Sequence, residues 1–127
     1  MVQQTNKFPH DFLREHLELI SQYLPGETTL NQIRVLQYIA LRSASDEGSA
    51  GNTEICKALG MSGATVTRAI CYGIKAGIIS EDEDPRDGRR RFVMMNDSCP
   101  WRGTLDQKII ELARGYFRKD RTVSKIM

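Results

Sequence analysis

The sequence predicts a mainly α fold with a small β-hairpin, a winged helix-turn-helix flanked by N- and C-terminal helices. Two observations carry that prediction. The segment from Asn52 to Ala76 reads as a helix-turn-helix, broken at Gly60-Met61-Ser62. Directly after it, Ile78-Ile79-Ser80 and Arg91-Phe92-Val93-Met94-Met95 flank Asp84-Pro85-Arg86-Asp87-Gly88-Arg89-Arg90. Pro85 fixes one backbone angle and Gly88 takes positive φ at little cost, so the chain can reverse there while arginines project from the tip. A helix opening at a serine beside such a hairpin suits double-stranded DNA, one element for a groove and one for the next. Taken alone, a hairpin of this composition reads better as a solvated turn whose arginines keep it soluble; the order of the elements favours DNA.

The remaining elements follow from periodicity. Between Phe8 and Leu24, Leu13, Leu17, Ile20 and Leu24 fall on one helical stripe, with Phe8, Phe12, Leu19 and Tyr23 on a second beside it. An apolar arc this broad exceeds what a helix lying on one small domain needs, which predicts a second subunit. Pro9 suits a first turn, and Pro25-Gly26 stops the helix. The next helix is expected over Leu30 to Ser43, opened by Thr28 or Thr29, with Ile33, Leu36, Ile39 and Ala40 inward. Ser43 to Asn52 reads as a loop with a short extended piece at its end. Thr53 to Leu59 reads as a short helix with Ile55, Ala58 and Leu59 inward, and Gly60 follows where a helix end favours positive φ. Ser62 can cap the following helix, whose Val66, Ile70 and Ile74 repeat inward and which Gly77 ends. After the wing, Leu105, Ile109, Leu112 and Tyr116 repeat on a helix capped by Thr104 and running to about Lys119, with a basic, frayed tail from Arg118 to Lys125. The expected organisation is a single domain, 1–127, with terminal helices at 8–24 and 104–119 and the winged helix-turn-helix at 29–97.

Composition narrows the function. A chain of 127 residues, 40% apolar and 27% charged, is the size of one globular domain. No apolar run approaches the ~20 residues that cross a bilayer, and the polar start Met1-Val2-Gln3-Gln4-Thr5-Asn6-Lys7 does not resemble a secretory leader, so a cytoplasmic protein is expected. The net charge of +2 decides nothing, but its distribution is uneven. Glu81-Asp82-Glu83-Asp84 occupy one arm of the hairpin, whereas Arg86, Arg89, Arg90 and Arg91 gather at the tip and return arm. Three cysteines lack Cys-x-x-Cys spacing, arguing against a disulfide framework or zinc site; Cys56 and Cys71 read as small buried apolar residues. His10 and His16 have no nucleophile or carboxylate cluster around them in sequence, and no phosphate-cradling glycine loop occurs. No catalytic residue, metal site or cofactor is therefore expected.

Leu30-Asn31-Gln32-Ile33-Arg34-Val35-Leu36, Ser62-Gly63-Ala64-Thr65-Val66-Thr67-Arg68, Gly77-Ile78-Ile79 and Asp84-Pro85-Arg86-Asp87-Gly88-Arg89-Arg90 occur in the order seen in the MarR family of bacterial transcriptional regulators. Over Leu30 to Asp97 the chain resembles that family, and the Asp-x-Arg-Asp-x-Arg wing combined with Thr-Val-Thr-Arg is more specific than a bare helix-turn-helix pattern. The resemblance implies a homodimer joined by terminal helices, a recognition helix in the major groove, a wing in the minor groove and, in many members, a small aromatic effector. Three departures stand out. Cys71 and Gly73 replace an aspartate and a large apolar residue late in the recognition helix. Because a mid-helix glycine costs about 0.5–1 kcal/mol relative to alanine, Tyr72 or Ile74 is expected to supply the packing. A single helix after the wing predicts a smaller or rearranged dimer interface. Finally, no cysteine lies in the first helix, so the peroxide-sensing subtype is not implied.

The expected DNA contacts are Ser62, Gly63, Ala64, Thr65, Thr67 and Arg68 on the recognition helix and Arg86, Asp87, Arg89 and Arg90 on the wing. The helix's first turn offers unpaired amides to phosphate together with the Ser62 hydroxyl, which serves equally as a plain N-cap. Arg68 suits guanine O6 and N7 or a phosphate. Arg89 is the candidate for minor-groove insertion, with Asp87 either orienting it or stabilising the turn. An effector site is expected at the junction of the terminal helices and the winged helix, lined by residues such as Phe12, Leu36 or Tyr38. The other readings of the same features are a protein-interaction winged helix and a plasmid or phage replication or partition protein.

Overall fold

The computed structural model describes residues 7–45, 48–83 and 91–126, with residues 91 and 118–126 described by their backbone alone. Thr29 opens helix α2 (Leu30–Ser43) with a capping box: its hydroxyl accepts from the Gln32 N–H at 3.1 Å while the Gln32 side chain accepts from the Thr29 N–H at 2.8 Å. Thr29 rather than Thr28 is thus the cap. Helix α3 (Asn52–Leu59) ends at Gly60, whose φ of 65° satisfies the expectation of a left-handed helix end and turns the chain toward α4 (Gly63–Lys75). Gly77, at φ 74°, closes α4 in the same manner and delivers Ile78 and Ile79 into the core. A three-stranded antiparallel sheet follows in the order β1 (Ala50–Gly51), β3 (Arg91–Met95), β2 (Ile79–Glu83). The short extended piece expected before Asn52 is therefore the third strand. Register runs from Ile79 opposite Met95 out to Glu83 opposite Arg91, which leads the hairpin away from the core. Its base is tied down by Asn96, whose side-chain amide donates to the Gly77 carbonyl at 2.9 Å, and by Ser43, whose hydroxyl accepts from the Met95 N–H at 2.9 Å.

The core of residues 27–100 is Val35, Leu36 and Ile39 of α2, Ile55 of α3, Val66, Ala69 and Ile70 of α4, and Ile78, Ile79 and Val93 of the hairpin. Ile33 and Ala40, expected inward on α2, are half-buried. Ala58, also expected inward, is exposed at the edge of α3, and Ile74 is 40% exposed. The reason for the latter is helical drift: eight residues turn the direction about 80° past Val66, so the inner line passes to Ala69 and Gly73 instead. Neither Ile74 nor Tyr72 fills in for the missing side chain at 73. A Cβ on Gly73 would stand 2.8 Å from Cδ2 of Leu36 and 2.9 Å from Cδ1 and Cγ1 of Ile79, so α2 and β2 close directly on the glycine. Tyr72 is half-buried, and its hydroxyl shares a hydrogen bond with that of Thr28. Among the cysteines, Cys99 is buried and Cys56 half-buried, but Cys71 is exposed, contrary to expectation, because it lies on the outward face of α4.

The chain divides into two compact units, residues 27–100 and a second of residues 1–26 with 101–127 that holds α1 (Lys7–Ser21) and α5 (Arg102–Ile126). The phenylalanine stripe of α1 packs on α5: the rings of Phe8 and Phe12 each lie 5.3 Å from that of Tyr116. Tyr23 stacks on Trp101 at 5.6 Å, with the Lys108 ammonium 5.4 Å from the Tyr23 ring centre. Of the other stripe, Leu13 and Leu17 are about half exposed while Ile20 and Leu24 are half-buried, and Ile110 and Phe117 are exposed on α5. Helix α5 opens at Arg102, so Thr104 sits inside the first turn and is not the cap. Its backbone continues to Ile126 instead of ending near Lys119, since neither glycine nor proline interrupts the sequence after Gly115.

The Tyr116 hydroxyl donates to the Glu15 carboxylate and joins α5 to α1. That hydrogen bond, then desolvation and the Glu15 charge, push the phenol from its ordinary 10.0 up to about 12. A pKa raised on folding contributes stability that is fully present below the ordinary value and is lost as pH rises through the folded one, here between 10.0 and about 12. In an alkaline absorbance titration, Tyr116→Phe is expected to remove one phenol that ionises above the ordinary tyrosine range; an unchanged curve contradicts this.

Candidate nucleic-acid interface

Helix α4 owes its start to Ser62, which has extended backbone and accepts the Thr65 N–H at 3.2 Å through its side chain. The Ser62 and Thr65 hydroxyls also lie 2.9 Å apart. Ser62 is therefore the N-cap, and because it is exposed its hydroxyl is open to a phosphate as well. Ser62→Ala is expected to lower stability by about 1 kcal/mol in urea denaturation, with no loss of helix elsewhere.

The expected recognition residues divide by face. Gly63, Ala64, Thr67 and Arg68 are exposed, and Cys71 continues their line one turn further on. Thr65 is half-buried and turns back to Ser62. Together with Arg68, Ala69 and the start of α2 (Thr29, Asn31 and Gln32), it lines a cleft of about 280 Å³. Arg68 is the cation of this face, and Lys75 is exposed near the end of the same helix. Wing residues Arg86, Asp87, Arg89 and Arg90 lie outside the described residues. The strands place Glu83 and Arg91 at the last described register position before them.

Two residues that escaped the sequence reading belong to this surface. Asn52, the first residue of α3, donates its side-chain Nδ2 to the Thr67 hydroxyl at 3.1 Å, and its side-chain Oδ1 accepts from the Cys56 thiol at 3.3 Å. Cys71 is the other, a small exposed group in line with Thr67. Behind them, α3 is held to α2 by Glu54. The Arg42 Nε lies 2.9 Å from Oε2 of Glu54, one terminal nitrogen of Arg42 donates to Oε1 at 3.1 Å, and the Tyr38 hydroxyl donates to Oε2 at 2.8 Å. This half-buried, hydrogen-bonded ion pair orients the helix that holds Asn52 against α4. Of the residues expected to line an effector site, Tyr38 is engaged here, Leu36 is a core residue against Gly73, and Phe12 packs on Phe8 and Tyr116.

No protein-family model matches the chain, and no curated protein matches it in sequence. Solved structures do match. A transcriptional regulator of Thermotoga maritima aligns at 21% identity over 94% of this chain and 81% of its own, with a TM-score of 0.67. The MepR–DNA complex of S. aureus aligns at 17% identity over 94% of both chains, with a TM-score of 0.60. Bordetella bronchiseptica BpsR, solved in a study of how 6-hydroxynicotinic acid regulates its DNA binding, aligns at 23% identity over 87% of this chain and 79% of its own, with a TM-score of 0.50. Among the described residues the five helices and small antiparallel sheet form a winged-helix fold that is similar to the folds of these proteins at low identity, and it is the fold that the chain's MarR-like motifs imply.

Proposed function

We propose that this chain is a sequence-specific DNA-binding transcriptional regulator, a cytoplasmic repressor that acts by binding and carries out no catalysis. The observation that carries the reading is the outward face of α4: a capped helix presents Gly63, Ala64, Thr67 and Arg68 to solvent, in a chain whose sequence further on carries the arginine-rich segment Arg86 to Arg91. The fold it shares with MepR, solved on DNA, supports the same reading. In it α4 enters the major groove, Arg68 takes a guanine or a phosphate, and the wing enters the adjacent minor groove. Arg89 is the inserted side chain and Asp87 its orienting partner, with Arg86 and Arg90 facing phosphates.

The active form is a homodimer joined through the terminal helices, whose outward Leu13, Leu17, Ile110 and Phe117 form an apolar surface that association would cover. Its two-fold axis sets the recognition helices about 34–36 Å apart on a palindromic operator. A small aromatic effector releases it, a proposal supported by the effector named for BpsR.

Selection of bound duplexes from a random pool, with sedimentation of the protein, tests the proposal. It predicts an enriched inverted repeat and a dimer at micromolar concentration. Monomer alone with no enriched sequence contradicts it and favours the protein-interaction module; an enriched site that acts in replication or partition and not at a promoter favours the plasmid or phage reading.

A further inference from the structure

The outward face of α4 between Gly63 and Cys71 is unusually poor in hydrogen-bonding groups for a reading surface. Arg68 has the forked donors that match guanine; no asparagine or glutamine stands on this face for adenine, and no carboxylate for the cytosine amino group. What remains is small: the methyl of Ala64, the methyl and hydroxyl of Thr67, and the Cys71 thiol. The Thr67 hydroxyl oxygen accepts from Asn52 of α3 at 3.1 Å, which turns the hydroxyl toward α3. Asn52 is itself held by the Cys56 thiol, at 3.3 Å, one turn further along its own helix. Threonine is stiff at χ1, so directing its hydroxyl toward α3 also sets where its methyl stands. That leaves the methyl, with Ala64 three residues before it on the same face, as the groups offered to a base edge.

Thymine is the base that presents a methyl group to the major groove. We infer that Thr67, oriented by Asn52 and flanked by Ala64, selects thymine in each half-site through its 5-methyl group. The inference rests on the DNA-binding reading above and deepens it: whether Arg68 takes a guanine or a phosphate, a thymine contacted through apolar surface accounts for one position of each half-site. Thr67 is the specificity-determining side chain and Asn52 its positioning residue.

The test uses the full chain and a duplex selected from a random pool. Each thymidine is replaced in turn by deoxyuridine, which keeps base pairing and removes only the methyl. The affinity is expected to fall about fourfold at one thymine of each half-site, the effect of one apolar carbon returned to water. Thr67→Val keeps a methyl and is expected to retain that penalty. Thr67→Ser keeps the hydroxyl alone and is expected to abolish it, and Asn52→Ala, which frees the Thr67 rotamer, is expected to reduce it. Uniform tolerance of deoxyuridine, a penalty that survives Thr67→Ser, or one that vanishes in Thr67→Val overturns the inference. If selected DNA is bound in a salt-dependent manner while deoxyuridine is neutral, only this inference falls. If no duplex is bound at all, the DNA reading falls with it.

Discussion

Gly73→Leu is expected to destabilise residues 27–100 by more than about 3 kcal/mol, since even the first added carbon would meet Leu36 and Ile79 under 3 Å and the rest has no space to enter. Gly73→Ala separates two opposing effects at the same position. Alanine is the better helix former by about 1 kcal/mol, whereas overpacking a core costs about 1–3 kcal/mol. The three atoms nearest the new Cβ belong to two buried side chains with little freedom to retreat, so the packing term prevails and a net loss of up to ~2 kcal/mol is expected. Gly115 supplies the comparison. It is also inside a helix but has open space where a Cβ would go, so Gly115→Ala is expected to stabilise by about 0.5–1 kcal/mol. Urea denaturation of the three variants checks both signs. A Gly73→Ala variant more stable than the parent contradicts the close approach of α2 and β2.

Arg68→Glu is expected to weaken binding to selected DNA by at least about a hundredfold, combining the loss of a base or phosphate contact worth ~1–3 kcal/mol with repulsion from the backbone. Arg68 is exposed, so stability should stay within about 0.5 kcal/mol of the parent. Arg68→Lys then assigns the contact. A point charge serves a phosphate nearly as well, but it lacks the fork that matches guanine O6 and N7. If the variant binds all sequences slightly less well, Arg68 contacts phosphate; if it loses preference at one position, Arg68 reads guanine.

What was legible in the sequence was chiefly local chemistry. The Ser62 cap, the left-handed Gly60 and Gly77 and the extent of α2 are each decided within a few residues, by hydroxyls that satisfy helix amides and by glycines at positive φ. Helical spacing likewise places Thr67, Arg68 and Lys75 toward solvent, as found, but it places Thr65 there too, and Thr65 is half-buried because it turns back to Ser62. Tertiary proximity was not legible. Gly73 reads as a weak point in a helix, and only the approach of Leu36 and Ile79 shows it to be a contact position. Cys71 carries no polarity signal, so its exposure follows from its place one turn beyond Thr67 and not from residue type. Asn52 looked like the end of a loop because its partner is 15 residues away on another helix. Thr104 looked like a cap by type, yet α5 had already begun at Arg102. The assigned wing contacts follow from composition and resemblance, since Arg86, Asp87, Arg89 and Arg90 lie outside the described residues.

The central claim is that α4 and the wing bind duplex DNA through phosphate-anchored contacts. Its most direct measurement is the affinity of the full chain for a selected duplex across a salt series. Neutralising several phosphates releases condensed counterions, so log affinity should fall linearly with log salt, losing on the order of a thousandfold over a fourfold rise in concentration. An affinity that is negligible at low salt, or that does not change with salt, would contradict the account.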